Sequence, residues 1–244
     1  LGPADLSHLG EAVKVLVADK LPAAGLDGFR AAGFDVVSEP GLKEDALVER
    51  VRSSEAQILV VRSTKVPRAA LEAGTLGLVI RAGAGYNNVD VAAASELGIY
   101  VANCPGKNAI AVAELTWGLI LALDRQIPAC VDDLRAGKWN KKGFAKASGL
   151  YGRTLGVVGL GEIGKQVVSR AKAFGMPVVA WSRSLTPELA EELGVEQVSS
   201  TVEVAKRADV ASVHVALNDQ TRGLIGAEFF GALRSGSLFV NTSR

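Results

Sequence analysis

Cysteine is nearly absent from this sequence: Cys104 and Cys130 are the only two, and their spacing suits neither a metal site nor a redox pair. Two such thiols read as reduced cysteines of a cytoplasmic protein. Nothing else in the sequence groups residues as metal ligands. No run of about 18 apolar residues is present, so no membrane-spanning helix is expected. The opening Leu1-Gly2-Pro3 lacks the charged start and apolar core of a signal peptide. It also lacks Met, so the chain is expected to be a piece of a longer one. Charge of one sign is missing too. Lys and Arg number 27 against 26 Asp and Glu, mixed along the chain for a net charge of +1, which points to neither nucleic acid nor a membrane surface.

What the sequence does hold is apolar residues at 48% and 27 glycines, with aromatics at only 5%, a profile of an α/β protein rather than a β-sandwich or a disordered chain. Short apolar runs alternate with helical patterns. Val15 to Ala18, Phe34 to Val37, Ile58 to Val61, Leu78 to Ile80 and Ile99 to Val101 read as strands, and Ile58 to Val61 is continuous and apolar as a strand covered on both faces must be. Helices are expected between them, the first opening at Pro22. β-α repeated at short intervals predicts a parallel sheet with right-handed crossovers.

From Asn108 to Arg135 the pattern changes. Ala109, Val112, Ala113, Leu115, Thr116, Leu119, Ile120 and Leu123 recur at helical spacing with apolar residues nearly all round. One long helix, buried between two bodies, is expected there. A second β-α series follows. Its strands are Leu155 to Val158, Val178 to Trp181, Val195 to Val198, Val210 to Val215 and Leu238 to Val240. Two tandem parallel-sheet domains are therefore predicted: a flavodoxin-like domain over residues 1–103 and a Rossmann domain over 104–244, incomplete at its C-terminus.

Gly159-Leu160-Gly161-Glu162-Ile163-Gly164 joins a strand directly to a helix. Glycines at these three positions permit a tight turn, a close approach of phosphate to backbone, and close packing of helix on strand. The helix N-terminus then attracts the negative pyrophosphate of a dinucleotide. At the end of the next strand NAD sites place an acid on the ribose 2′-hydroxyl, but this chain reads Trp181-Ser182-Arg183-Ser184. Arg183 suits the 2′-phosphate of NADP, or else stacks on adenine or faces solvent. NAD and NADP both stay open.

Eight segments occur in order: Arg62-Ser63-Thr64-Lys65, Arg81 to Asp90, Asn103-Cys104-Pro105, Ala113-Glu114-Leu115, Gly137-Lys138-Trp139, Gly159 to Gly164, His214-Val215 and Val240 to Arg244. Together they resemble the D-2-hydroxyacid dehydrogenase family, most closely its phosphoglycerate-oxidising branch, which feeds serine biosynthesis. The resemblance implies an oxidoreductase that passes hydride between a nicotinamide cofactor and a D-2-hydroxy or 2-oxo acid held in a cleft between the domains. It implies substrate contacts from Arg62, Ser63, Lys65, Arg81, Ala84, Gly85, Tyr86, Asn108 and Lys141, where the family's phosphoglycerate members often carry Arg in place of Lys141. Cofactor contacts are implied for Gly159, Gly161, Glu162, Ile163, Gly164, Ser182, Arg183, Val215, Ala216, Thr221, Thr242 and Ser243. Arg244 matches the family's catalytic Arg. The family's acid–base His and its Glu partner come after this Arg, so the segment alone is expected to be inactive. His214 reads as structural, and His8 has no apparent site. A homodimer through the Rossmann domain is also implied. Two alternatives stay open: a glyoxylate or hydroxypyruvate reductase of the same family, and a non-enzymatic NAD-sensing co-repressor.

Overall fold

The computed structural model describes residues 12–243, so the expectations for Arg244 and His8 lie outside the described residues. The chain divides between Lys107 and Asn108 into two compact units. In the first, strands β1 (Lys14–Val17), β2 (Asp35–Ser38), β3 (Ile58–Val61), β4 (Leu78–Arg81) and β5 (Tyr100–Asn103) alternate with helices α1 (Ala23–Ala31), α2 (Glu44–Ser54), α3 (Arg68–Leu71) and α4 (Val91–Glu96). The sheet is parallel throughout, in the order β2-β1-β3-β4-β5. That is the flavodoxin-like order, with its switch point between β1 and β3. Leu47, Val51, Ala70 and Leu71 of α2 and α3 cover one face of the sheet, and Leu26 and Phe29 of α1 pack on the other.

The second unit opens with α5 (Ala109–Arg125), α6 (Ile127–Arg135) and α7 (Lys141–Phe144). There follow β6 (Leu155–Val158), α8 (Glu162–Ala173), β7 (Val178–Trp181), α9 (Pro187–Leu193), β8 (Glu196–Gln197), α10 (Thr201–Arg207), β9 (Val210–Val213), α11 (Ala227–Ala232) and β10 (Leu238–Asn241). The parallel sheet runs β10-β9-β6-β7-β8, the five-strand Rossmann order, with the switch point between β6 and β9. Alternation places Leu155 and Val157 of β6 in a core with Trp117 and Ile120 of α5 and Val167 and Val168 of α8. Val158 turns to the opposite face, among Val204, Ala205 and Phe229. Trp117 ties α5 to α8: its Nε1 donates to the Val167 carbonyl at 3.2 Å, and its ring stacks on Phe174 at 4.6 Å.

The structure corrects two expectations about residues 108–135. The single long helix is two, because Gln126 adopts φ +53° between α5 and α6. Pro128 supplies the physical reason. It has no N–H to give Asp124, and its ring would strike that carbonyl in a continuous helix. The helix is also not buried all round. Ala113, Thr116, Trp117 and Ile120 are buried, whereas Ile110, Leu115, Leu119 and Leu123, with Ile127, Val131 and Leu134 of α6, are exposed.

Candidate functional site

In the first unit the loops that leave β3 and β4 lie side by side, because those strands are parallel neighbours. Val66 N–H donates to the Asn88 carbonyl at 2.7 Å, and Asn88 Nδ2 donates to the Thr64 carbonyl at 2.7 Å. Asn103 Nδ2, from the end of β5, donates to the Ala84 carbonyl at 2.6 Å. The loops are thereby stitched together, and Arg62, Ser63, Lys65, Arg81, Ala84, Gly85 and Tyr86 come to the carboxyl end of the sheet. Among the described residues the backbone N–H groups of Ala84, Gly85 and Tyr86 donate to no other group, and Arg62, Lys65 and Arg81 pair with no carboxylate. The Arg81 guanidinium folds over Gly83, where a Cβ would stand 1.7 Å from its Nη1.

Asp19, which sequence reasoning passed over, organises this end of the sheet. Its Oδ2 accepts from the N–H groups of Arg62, Ser63 and Thr64 at 2.7, 3.0 and 3.0 Å. Partial burial opposes the charge on Asp19, but the three donors outweigh it and hold the carboxyl below its ordinary value. An acid just past the first strand was the available signal. Asn108 and Lys141 belong to the second unit, at the start of α5 and of α7. Lys141 is exposed in a stretch that departs from the mixed charge elsewhere: Arg135, Lys138, Lys141, Lys142 and Lys146 come without an acid among them.

At the switch point of the second unit lies a cavity of about 480 Å³. Its floor is Gly159, Leu160 and Gly161. One rim is Trp181 to Ser184, after β7, and the other runs from His214 to Ala216 with Thr221, after β9. Gly159 is required twice over: its φ is +99°, and a Cβ there would stand 2.7 Å from the His214 carbonyl oxygen. Gly161 caps α8 with no side-chain hydrogen bond to the first turn, and a Cβ on it would meet nothing within 4 Å. Uncapped N–H groups at a helix N-terminus, with open space before them, fit the pyrophosphate of a dinucleotide.

These features bring together Gly159, Gly161, Ser182, Arg183, Val215, Ala216 and Thr221 of the predicted cofactor residues. Glu162, Ile163 and Gly164 form the first turn of α8 and do not line the cavity. Nor do Thr242 and Ser243: Thr242 Oγ1 lies 3.0 Å from Thr116 Oγ1, and Ser243 Oγ donates to the Val213 carbonyl at 3.2 Å. Among the described residues no His, Cys, Asp and Glu group is placed to hold a metal. No helix among them is long and apolar enough to cross a membrane.

The model for the "D-isomer specific 2-hydroxyacid dehydrogenase, NAD binding domain" matches residues 117–244, more than half of the chain. The chain belongs to the D-isomer specific 2-hydroxyacid dehydrogenase family. It is 44% identical to the D-3-phosphoglycerate dehydrogenase of Methanocaldococcus jannaschii over 234 residues, which is 95% of this chain and 44% of that protein. It thus spans less than half the length of that relative. The hydroxypyruvate reductase of Thermotoga maritima is 42% identical over 213 residues, covering 86% of this chain and 67% of the reductase. The NAD+-bound 3-phosphoglycerate dehydrogenase of Entamoeba histolytica superposes with a TM-score of 0.78 at 30% identity, over 96% of this chain and 72% of that one.

Within this dehydrogenase fold His214 is a buried wall of the cavity. Its Nε2 lies 2.8 Å from Ser212 Oγ, and its Nδ1 has no partner among the described residues. Burial pushes its pKa from 6.5 down to about 4, so the imidazole is neutral at neutral pH. An unfolded chain binds this proton near pH 6.5 and the folded one does not until about pH 4. Stability is therefore full above the unfolded value and is lost as pH falls between the two. At about 1.4 kcal/mol for each pH unit of that gap, the loss approaches roughly 3 kcal/mol. Denaturant unfolding across this range should show His214→Gln losing most of the acid-side slope; a slope equal to the parent's would refute the assignment.

Proposed function

We propose that this chain carries the substrate-binding and coenzyme-binding parts of an NAD(P)-dependent oxidoreductase acting on D-3-phosphoglycerate. The observation that carries the reading is the switch-point cavity, with uncapped N–H groups of α8 opening onto it past Gly161. When bound there, a nicotinamide coenzyme supplies the hydride acceptor or donor. This chain's own residues then have distinct tasks. The α8 N-terminus holds the pyrophosphate. Val215, Ala216 and Thr221 wall the cavity on one side, and Ser182 with Arg183 meets the adenosine ribose on the other. Arg183 and the lack of an acid at the end of β7 favour NADP. The free amides of Ala84, Gly85 and Tyr86 receive the substrate carboxylate. Arg62, Lys65, Arg81 and Lys141 supply positive charge for the phosphate, and Arg244 holds the carboxylate and polarises the reacting carbonyl.

A second reading, a hydroxypyruvate reductase, rests on Arg183 and on the likeness to the Thermotoga maritima enzyme. Turnover by the full-length protein with D-3-phosphoglycerate and with D-glycerate separates the two. Charge-assisted phosphate contacts should make removal of the phosphate cost more than about tenfold in kcat/KM. A smaller loss favours the reductase, and calorimetry showing no heat with either coenzyme ends both readings. A second copy of the chain is the proposed partner, docked on the exposed apolar stripe from Ile110 to Leu134 along α5 and α6. Light scattering on the same sample should read a dimer, and a monomer overturns that part.

A further inference from the structure

The two rims of the coenzyme cavity are joined by one side-chain contact. Arg183 Nη1, after β7, donates to Oε1 of Gln220, in the loop after β9. Gln220 is not left to wander. Asn218 Oδ1 accepts from the N–H groups of Gln220 and Thr221 at 3.0 and 3.1 Å, and Thr221 Oγ1 donates to the Ala216 carbonyl at 2.6 Å. The loop is a braced turn that presents the Gln220 amide to the opposite rim. Arg183 has no ion pair among the described residues, and none of the residues lining the cavity is acidic.

The chemistry of the acceptor matters. An amide oxygen takes one of the five guanidinium N–H groups and leaves the charge and the other donors free. A carboxylate in the same place would take the same N–H and cancel the charge. We infer that Gln220 is a specificity-determining residue: it holds Arg183 across the mouth of the cavity, still fully charged, for a ligand that carries a ribose 2′-phosphate. The inference rests on the reading of this cavity as a nicotinamide-coenzyme site and adds to it a residue outside the lining.

Gln220 is exposed, so its variants should fold, and matching melting curves check this. Binding of NADPH and NADH to the purified protein can be followed by energy transfer from Trp181, which lines the cavity. Gln220→Glu both neutralises Arg183 and repels the phosphate. It should weaken NADPH about tenfold while leaving NADH within about twofold. Gln220→Ala, which only loosens Arg183, should shift the NADPH to NADH ratio in the same direction by about twofold to threefold. In an Arg183→Ala background Gln220→Glu should lose part of its effect on that ratio, since only the direct repulsion of the phosphate then remains. Equal changes for both coenzymes, or no change in the ratio, would overturn the role of Gln220 while leaving the cavity a coenzyme site. A parent protein that binds neither coenzyme would sink the site and the inference together.

Discussion

Gly164→Ala is expected to cost about 3 kcal/mol or more of stability and to abolish coenzyme binding. A Cβ on Gly164 would stand 2.1 Å from the Gly159 carbonyl oxygen and 3.1 Å from its carbon. Both are backbone atoms of the turn that joins β6 to α8, so no side chain can swing away. The helix must move off the strand, or the turn must change shape. The turn has little freedom, because Gly159 already holds φ +99° against the His214 carbonyl and donates its N–H to the Trp181 carbonyl at 2.8 Å. Gly161→Ala provides the contrast. Its φ of −72° suits any L-residue and its Cβ meets open space, so the protein should melt like the parent. That same space is where the pyrophosphate would approach the backbone, and binding of NADPH or NADH should weaken more than tenfold, by the loss of about 1.4 kcal/mol or more. Thermal melts with coenzyme titrations on both variants check the pair. A Gly164→Ala protein as stable as the parent would refute the packing argument. Undiminished binding by Gly161→Ala would refute the phosphate site.

Arg153→Ala should destabilise the second unit by about 3–5 kcal/mol, because it strands a buried carboxylate. The Asp124 side chain, on α5, is 3% exposed, and its Oδ1 accepts from Arg153 Nη1 at 3.0 Å. Among the described residues its Oδ2 has no partner, so Arg153 is the cation that offsets the charge. The same guanidinium donates to the Gly149 carbonyl at 3.2 Å and to the Asp209 carbonyl at 3.1 Å. Asp209 in turn accepts from the Thr154 N–H at 2.8 Å. One side chain thus ties α5 to the starts of β6 and β9. Denaturant unfolding of Arg153→Ala measures the cost. The double variant Arg153→Met with Asp124→Leu removes both charges and should lose much less. A loss below about 1 kcal/mol in the single variant would show that the pair is not needed.

Much of this molecule was legible in local pattern. The β-α alternation from Val15 to Val101 and again from Leu155 to Val240 was readable because strands inside a sheet covered on both faces, such as β3 and β6, are apolar runs, and because the turns between elements are short. The motif from Gly159 to Gly164 was readable because its three glycines keep a fixed spacing between a strand and a helix, although the carbonyl that crowds Gly159 belongs to the distant His214. The break at Gln126 was missed although Pro128 signalled it, since apolar periodicity continues on both sides of the break.

Composition and periodicity settled by themselves that this chain is α/β with two parallel sheets, and the ordered motifs placed it in its family. Only the tertiary structure decided which strands are neighbours, which face of α5 is covered, and which side chains meet around the cavity. Asp19 serving the loop of Arg62, His214 walling the cavity beside Gly159, and Gln220 reaching Arg183 join positions tens of residues apart, 45 between Asp19 and Thr64. Their reason is strand order: two switch points set the ends of non-adjacent strands side by side. Periods of 2 and 3.6 residues report only what a residue's own element buries.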